Sequence, residues 1–255
     1  MIDEGLKGLR VLVTGGSRGL GAQVVRRFAE AGATVLATAR TAPEEELPAR
    51  FLTGDLSTAA GAAEVGAKVL DAVGGVDVLV DNAGSGTPPA ATLQCTDESW
   101  LADLNANLLS AVRLDRILVP GMVERGSGVV VHVSSIASRM PQAGQVAYAA
   151  AKAALNAYSR TLATEVGGHG VRVVNVLPGF VATPGAVAHI QTMADAQGIS
   201  LDDAQRLLVE RLNVPMGRAG EPDDVAELIV FLASRRAKWL TGAQFRVDGG
   251  IIPVV

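Results

Sequence analysis

Several residue types are scarce in this chain, and each shortage excludes something. Cys95 is the single cysteine among 255 residues, so no disulfide can close within the chain and no thiolate cage for zinc can form. His132, His169 and His189 are the three histidines, and no two stand at metal-ligand spacing. Aromatic residues make up 4%, as expected where helices pack closely on a sheet through small aliphatic side chains. Positive charge is not in excess. Lys and Arg number 22 against 26 Asp and Glu, for a formal net charge of -4. With no basic stripe, neither nucleic acid nor an anionic membrane is expected as a principal partner. No uninterrupted apolar run reaches membrane-spanning length, and the opening residues, MIDEGLKGLR, are polar and lack an apolar signal core. A cytoplasmic protein is expected.

What the chain does have is aliphatic content, with 49% hydrophobic residues and abundant Ala, Val, Leu and Gly. Short β-branched runs alternate with helical patterns. Strands are predicted at Leu9–Thr14, Thr34–Arg40, Phe51–Thr53, Val76–Val80, Val129–Val133, Val171–Leu177 and Phe245–Val247. Helices are predicted after Gly21, over 59–73, over 97–123, from Tyr148 to Gly167, and from Pro222 to about Ser234. This order implies an α/β class: a single-domain Rossmann fold spanning 1–255, whose doubly wound parallel sheet of about seven strands carries helices on both faces. The less regular stretch 185–216 reads as two short helices forming a substrate lid, because connections this long tend to be functional.

Two stretches carry chemistry. Tyr148 and Lys152 are i and i+4 on one helix, stacked a turn apart. A phenol has an ordinary pKa of about 10, and a neighbouring ammonium would lower it towards the working range. Taken alone, the pair also reads as a core tyrosine and a solvated lysine. The second stretch is Thr14-Gly15-Gly16-Ser17-Arg18-Gly19-Leu20-Gly21, placed between a strand and a helix. Glycines there allow a tight turn, and the helix N-terminus offers free N–H groups to a pyrophosphate. At the end of the second strand stand Ala39 and Arg40, with no carboxylate for a ribose 2′-hydroxyl. Arg40 and Arg18 favour a 2′-phosphate, hence NADP(H) over NAD(H), although both also read as exposed arginines. The acidic run Glu44–Glu46 reads as a solvated loop, one that would weaken that phosphate site if it folded back.

TGxxxGxG at Thr14–Gly21, NAG at Asn82–Gly84 and YxxxK at Tyr148–Lys152 occur in that order. With these motifs the chain resembles the short-chain dehydrogenase/reductase family over nearly its whole length. The resemblance implies roles for individual residues. Gly15, Ser17, Arg18, Gly19, Leu20 and Gly21 would cradle the dinucleotide. Asp55 would bind the adenine amino group with Leu56 beside it, though a strand-end Asp is also a common helix cap, a task that Ser57 or Thr58 could share. Asn82, Ala83 and Gly84 would border the cofactor, with Asn82 pinning neighbouring backbone. Pro178, Gly179, Val181 and Thr183 would face the nicotinamide. The catalytic set would be Asn107, Ser135, Tyr148 and Lys152, with Asn105 and Ser134 as near neighbours able to mislead the assignment. Tyr148 and Lys152 would also contact the cofactor. The family usually has Asn where this chain has Asp81, which is left without a role.

The implied activity is reversible hydride transfer between a nicotinamide and a ketone or secondary alcohol, as in a carbonyl or 3-oxoacyl reductase. Tyr148 would act as general acid/base, Ser135 would hold the oxygen, and Lys152 would lower the Tyr148 pKa and bind the nicotinamide ribose. Asn107 would support a water leading to Lys152. An isomerase or dehydratase using the same cofactor, and a dinucleotide sensor without turnover, are the alternatives. The small-molecule substrate would sit among residues near 85–94, 136–145 and 185–212. Ile136 and Met140 suggest a partly apolar ketone, and Arg139 could instead receive an anion. The apolar end, Ile251–Val255, reads as a surface covered in a homo-oligomer, commonly a tetramer in this family.

Overall fold

The computed structural model describes residues 5–253. The first four residues of the polar opening, Met1–Glu4, and the last two residues of the apolar end, Val254 and Val255, therefore lie outside the described residues. Seven parallel strands form one sheet: β1 (Arg10–Thr14), β2 (Thr34–Ala39), β3 (Arg50–Thr53), β4 (Val78–Asp81), β5 (Gly128–Val133), β6 (Val171–Pro178) and β7 (Gln244–Val247). Their order is β3-β2-β1-β4-β5-β6-β7. The chain first winds outward from β1 to β3, then crosses back to β4 and winds the other way. The reversal falls between β1 and β4, where such sheets bind ligands.

Side chains alternate across each strand and so sort into two cores. Val11, Val13, Val35, Ala37, Val78, Val80, Val131, Val133, Val174 and Val176 face one side, under α1 (Gly19–Glu30) and α8 (Pro222–Ala233). Leu12, Leu36, Leu79, Val130 and Val173 face the other, under α2 (Ala59–Val73), α4 (Ser110–Arg125) and the end of α5 (Val146–Val166). Phe28 of α1 and Ile229 of α8 are fully buried on the first side, Leu114 and Met122 of α4 on the second. At the surface Arg27 joins α1 to α8 through Asp223 at 2.5 Å and Glu227 at 3.1 Å. Among the described residues no helix is long and apolar enough to cross a membrane.

Two expectations need correction. The helix predicted over 97–123 is interrupted: α3 (Asp97–Leu104) and α4 are separated by a π-turn over Asn105–Leu109. Such turns insert an extra residue per turn and redirect side chains. The second correction concerns the apolar end. Ile251 and Ile252 are buried against this chain's own Ile136 and Val214, so these two are covered from within, while Pro253 is exposed. The stretch after β6 does form two helices, α6 (Pro184–Gln197) and α7 (Leu201–Arg211), each started by a hydroxyl cap, Thr183 and Ser200 respectively.

Candidate active site

The carboxyl ends of β1, β4, β5 and β6 open into one crevice of about 1210 Å³. Every residue assigned from sequence to cofactor or catalysis lines it, from Gly15 of the glycine turn to Thr183 before α6.

The glycine turn is held from below. Asn82 donates from Nδ2 to the Thr14 carbonyl at 2.9 Å, and the Thr14 hydroxyl accepts the backbone N–H groups of Asn82 (3.0 Å) and Ala83 (2.9 Å). A Cβ on Gly21 would strike the Gly15 carbonyl and stand 2.6 Å from Asn82 Nδ2. The glycine is therefore required by this close approach. Helix α1 starts with no side-chain cap and no acidic residue in its first turn, so its leading N–H groups are free for an anion. These features fit the pyrophosphate of a dinucleotide.

Arg18 and Arg40 are exposed at the crevice rim. The acidic loop folds back onto α1, where Glu45 pairs with Arg26 at 2.7 Å. Asp55 Oδ1 accepts from the Ser57 N–H (3.0 Å) and hydroxyl (2.7 Å). Those two Ser57 bonds, with a smaller contribution from Arg40, hold its carboxyl below the ordinary range. The cap of α2 is Thr58, which accepts from the Gly61 N–H at 3.0 Å, so Asp55 does not cap.

At the inner end stand Ser135, Tyr148, Lys152 and Asn107. Ser135 begins a short 3₁₀ turn after β5 and its oxygen accepts the Ala137 N–H at 3.1 Å. Tyr148 is partly buried in the first turn of α5 and hydrogen-bonds with Ser135. Burial raises the Tyr148 pKa, the Ser135 hydrogen bond draws it down, and the charge of Asp103 raises it again. The expected lowering by Lys152 is not present in this arrangement. Lys152 Nζ lies 5.9 Å from the Tyr148 ring centroid and donates to the Val133 carbonyl at 2.9 Å. Lys152 is itself buried, and desolvation lowers its pKa from 10.5 to about 8, against the pull of Asp81.

The π-turn explains Asn107. Its Nδ2 donates to the Ser85 carbonyl (2.6 Å) and the Asp103 carbonyl (3.0 Å), and its Oδ1 accepts the Ser85 N–H (3.2 Å). A Cβ on Gly84 would stand 2.7 Å from Asn107 Oδ1 and 3.2 Å from Lys152 Nζ. Both polar atoms therefore look onto the same point, which only glycine leaves open. Asn105 instead donates to the Leu101 carbonyl and accepts from Arg113, away from the crevice. Ser134 donates to the Lys152 carbonyl and so braces α5.

Of the substrate-side expectations, Arg139 is set aside: it is exposed, donates to Gln244 Oε1 at 2.7 Å, and does not line the crevice. Asp103 was not anticipated. It is buried and accepts from the Thr87 N–H (3.2 Å) and hydroxyl (2.9 Å), which ties the loop after β4 to α3. Only its place among polar residues of an amphipathic helix marks it in the sequence.

The comparisons with known proteins agree with this geometry. The profile of the family described as enoyl-(acyl carrier protein) reductase matches residues 15–252. A 3-oxoacyl-(acyl-carrier-protein) reductase from Vibrio cholerae is 34% identical, with 96% of this chain and 98% of the relative covered. An acetoacetyl-CoA reductase from Shinella zoogloeoides is 34% identical over 94% of this chain and 96% of the relative. The crystal structure of L-sorbose reductase from Gluconobacter frateurii, complexed with NADPH and L-sorbose, superposes with a TM-score of 0.93 at 32% identity over the whole of both chains. On these matches and on the three motifs that meet in one crevice, the chain belongs to the short-chain dehydrogenase/reductase family and is an NAD(P)-dependent oxidoreductase.

Proposed function

We propose that this chain reduces a ketone to a secondary alcohol, reversibly, with NADPH as the preferred reductant and a 3-oxoacyl thioester as the substrate class. The observation that carries the reading is the meeting of four side chains at one point: Tyr148 bonded to Ser135, with Lys152 Nζ and Asn107 Oδ1 facing the space over Gly84. A bound nicotinamide supplies the hydride. Ser135 holds the carbonyl oxygen, and Tyr148 donates its proton to that oxygen as charge develops. The raised Tyr148 pKa keeps the phenol protonated at neutral pH, which suits an acid in the reducing direction. Positioned general acids of this kind contribute roughly 10²–10⁴-fold. Lys152 and Asn107 face the space over Gly84 through which that proton is replaced.

Preference for NADPH is supported by Arg18 and Arg40 at the rim and by the lack of a carboxylate at the end of β2. Helices α6 and α7 act as the lid of a single catalytic unit. Met140, Met193, Leu208 and Leu212 line the outer crevice and favour an acyl chain over a sugar. The resemblance supports a cytoplasmic homo-oligomer, most simply a tetramer.

The test is NADPH and NADH consumption with acetoacetyl-CoA, a longer 3-oxoacyl thioester, an enoyl thioester and L-sorbose, alongside Tyr148→Phe. Turnover of the oxo thioesters with NADPH, lost in Tyr148→Phe while NADPH still binds, is expected. Retained turnover in that variant would remove Tyr148 as the acid, and activity on the enoyl thioester alone would replace the substrate class.

A further inference from the structure

Behind Lys152 lies a buried group of titratable side chains that the reaction above does not use. Asp81 ends β4 and is paired in register with His132 of β5. Asp81, His132 and Asp115 of α4 are all buried. His132 Nε2 is 3.0 Å from Asp115 Oδ2 and 3.8 Å from Asp81 Oδ2. Asp81 Oδ2 and Asp115 Oδ1 are each buried with no hydrogen-bond partner. Two ionised carboxylates cannot bond to one another, because both are acceptors only. One proton held between them would satisfy both oxygens at once, and one side-chain atom from each of Asp81, Asp115 and His132 lies within 4.8 Å of the other two. His132 Nε2 is within hydrogen-bond distance of Asp115, and the Tyr158 ring of α5 packs on His132 with ring centroids 5.6 Å apart.

We propose that Asp81 is a positioning residue for the reaction: a buried carboxylic acid that shares its proton with Asp115 and governs the charge of Lys152. The proposal rests on the catalytic reading given above. Lys152 Nζ bonds the carbonyl of Val133, the neighbour of His132, and feels the charge of Asp81 directly. The groups facing the cluster are Asp115 from α4, His132 from β5, and Lys152, Tyr158 and Glu165 from α5; Asp103 of α3 acts on Tyr148. Burial and Asp115 hold Asp81 well above the ordinary carboxylate range, while Lys152 pulls it down. As pH rises, loss of the shared proton makes the pair doubly negative. That added charge keeps the proton on Lys152 to higher pH.

Asp81→Asn tests this. An amide still donates to Asp115, so the cluster stays bonded, but it cannot ionise. Ketone reduction is followed from about pH 6 to about pH 10 with NADPH and acetoacetyl-CoA, for wild type, Asp81→Asn and Tyr148→Phe. The alkaline limb of kcat should move to lower pH in Asp81→Asn by about one unit or more, the effect expected of one nearby charge. NADPH affinity at the acid end should not change. An unshifted limb, with Tyr148→Phe inert, overturns the role of Asp81 and leaves the catalytic reading intact. An active Tyr148→Phe defeats the catalytic reading instead. Should Asp81→Asn fail to fold or acetoacetyl-CoA not be turned over, wild type is read by carbon-13 signals of labelled aspartate. One side chain still protonated at neutral pH and titrating together with Lys152 supports the proposal; none overturns it.

Discussion

Replacing Lys152 by Met should abolish turnover and stabilise the fold at the same time. Lys152 is buried, and its pKa falls from 10.5 to about 8. At about 1.36 kcal/mol per pKa unit, holding the charged form inside costs about 3 kcal/mol, already net of the attraction to Asp81. Methionine has a similar unbranched shape and no charge. Losing the bond to the Val133 carbonyl returns about 1 kcal/mol of that gain, which leaves about 2 kcal/mol, or roughly 4–8 °C in melting temperature for a chain of this size. The pH dependence is the sharper test. Below about pH 8 folded and unfolded wild type both hold the proton, and the cost is fully present. Between about 8 and 10.5 only the unfolded chain holds it, so wild-type stability rises with pH and the advantage of the variant shrinks. Urea unfolding of both proteins near pH 6.5 and again near pH 10 measures this directly. A variant no more stable than wild type near pH 6.5, or an advantage that does not shrink at the higher pH, would refute the reasoning.

The rim arginines and the glycine turn carry two further expectations. Arg40→Asp should weaken NADPH binding by about 10–100-fold, the value of one charge-assisted hydrogen bond, and move preference towards NADH; an unchanged affinity ratio would take Arg40 out of cofactor selection. Gly21→Ala places a methyl group against the Gly15 carbonyl, so it should cost about 1–3 kcal/mol in stability and weaken dinucleotide binding. Calorimetry with and without NADPH reads both effects, and a variant that binds and melts like wild type would show that the turn can relax.

Much of the framework was legible because its causes are local. Alternating Val and Leu in β1 and β4 mark strands buried on both faces, and glycines mark the turn after β1. Asn107 and Ser135 were assigned through the family resemblance, and both line the crevice. What was not legible depends on residues remote in sequence. The π-turn has no local signal, since its use is to bring the Asn107 amide to the Ser85 backbone, which lies beyond α3. The i and i+4 spacing brought Tyr148 and Lys152 to one face. It said nothing of the surrounding burial, which decides the direction of both pKa shifts. Asp81 was without a role because its partners come from α4 and β5. Arg139 read as an anion receptor until Gln244 of β7 was seen to hold it.

The apolar seam of Ile136, Val214, Ile251 and Ile252 has a consequence for how the molecule is assembled. Ile136 follows Ser135, and Val214 follows α7. Residues 251 and 252 lock these two walls together in the cluster that includes the crevice-lining Ile136. Both walls are made before residues 251 and 252, so they can be joined only late in the folding of the domain.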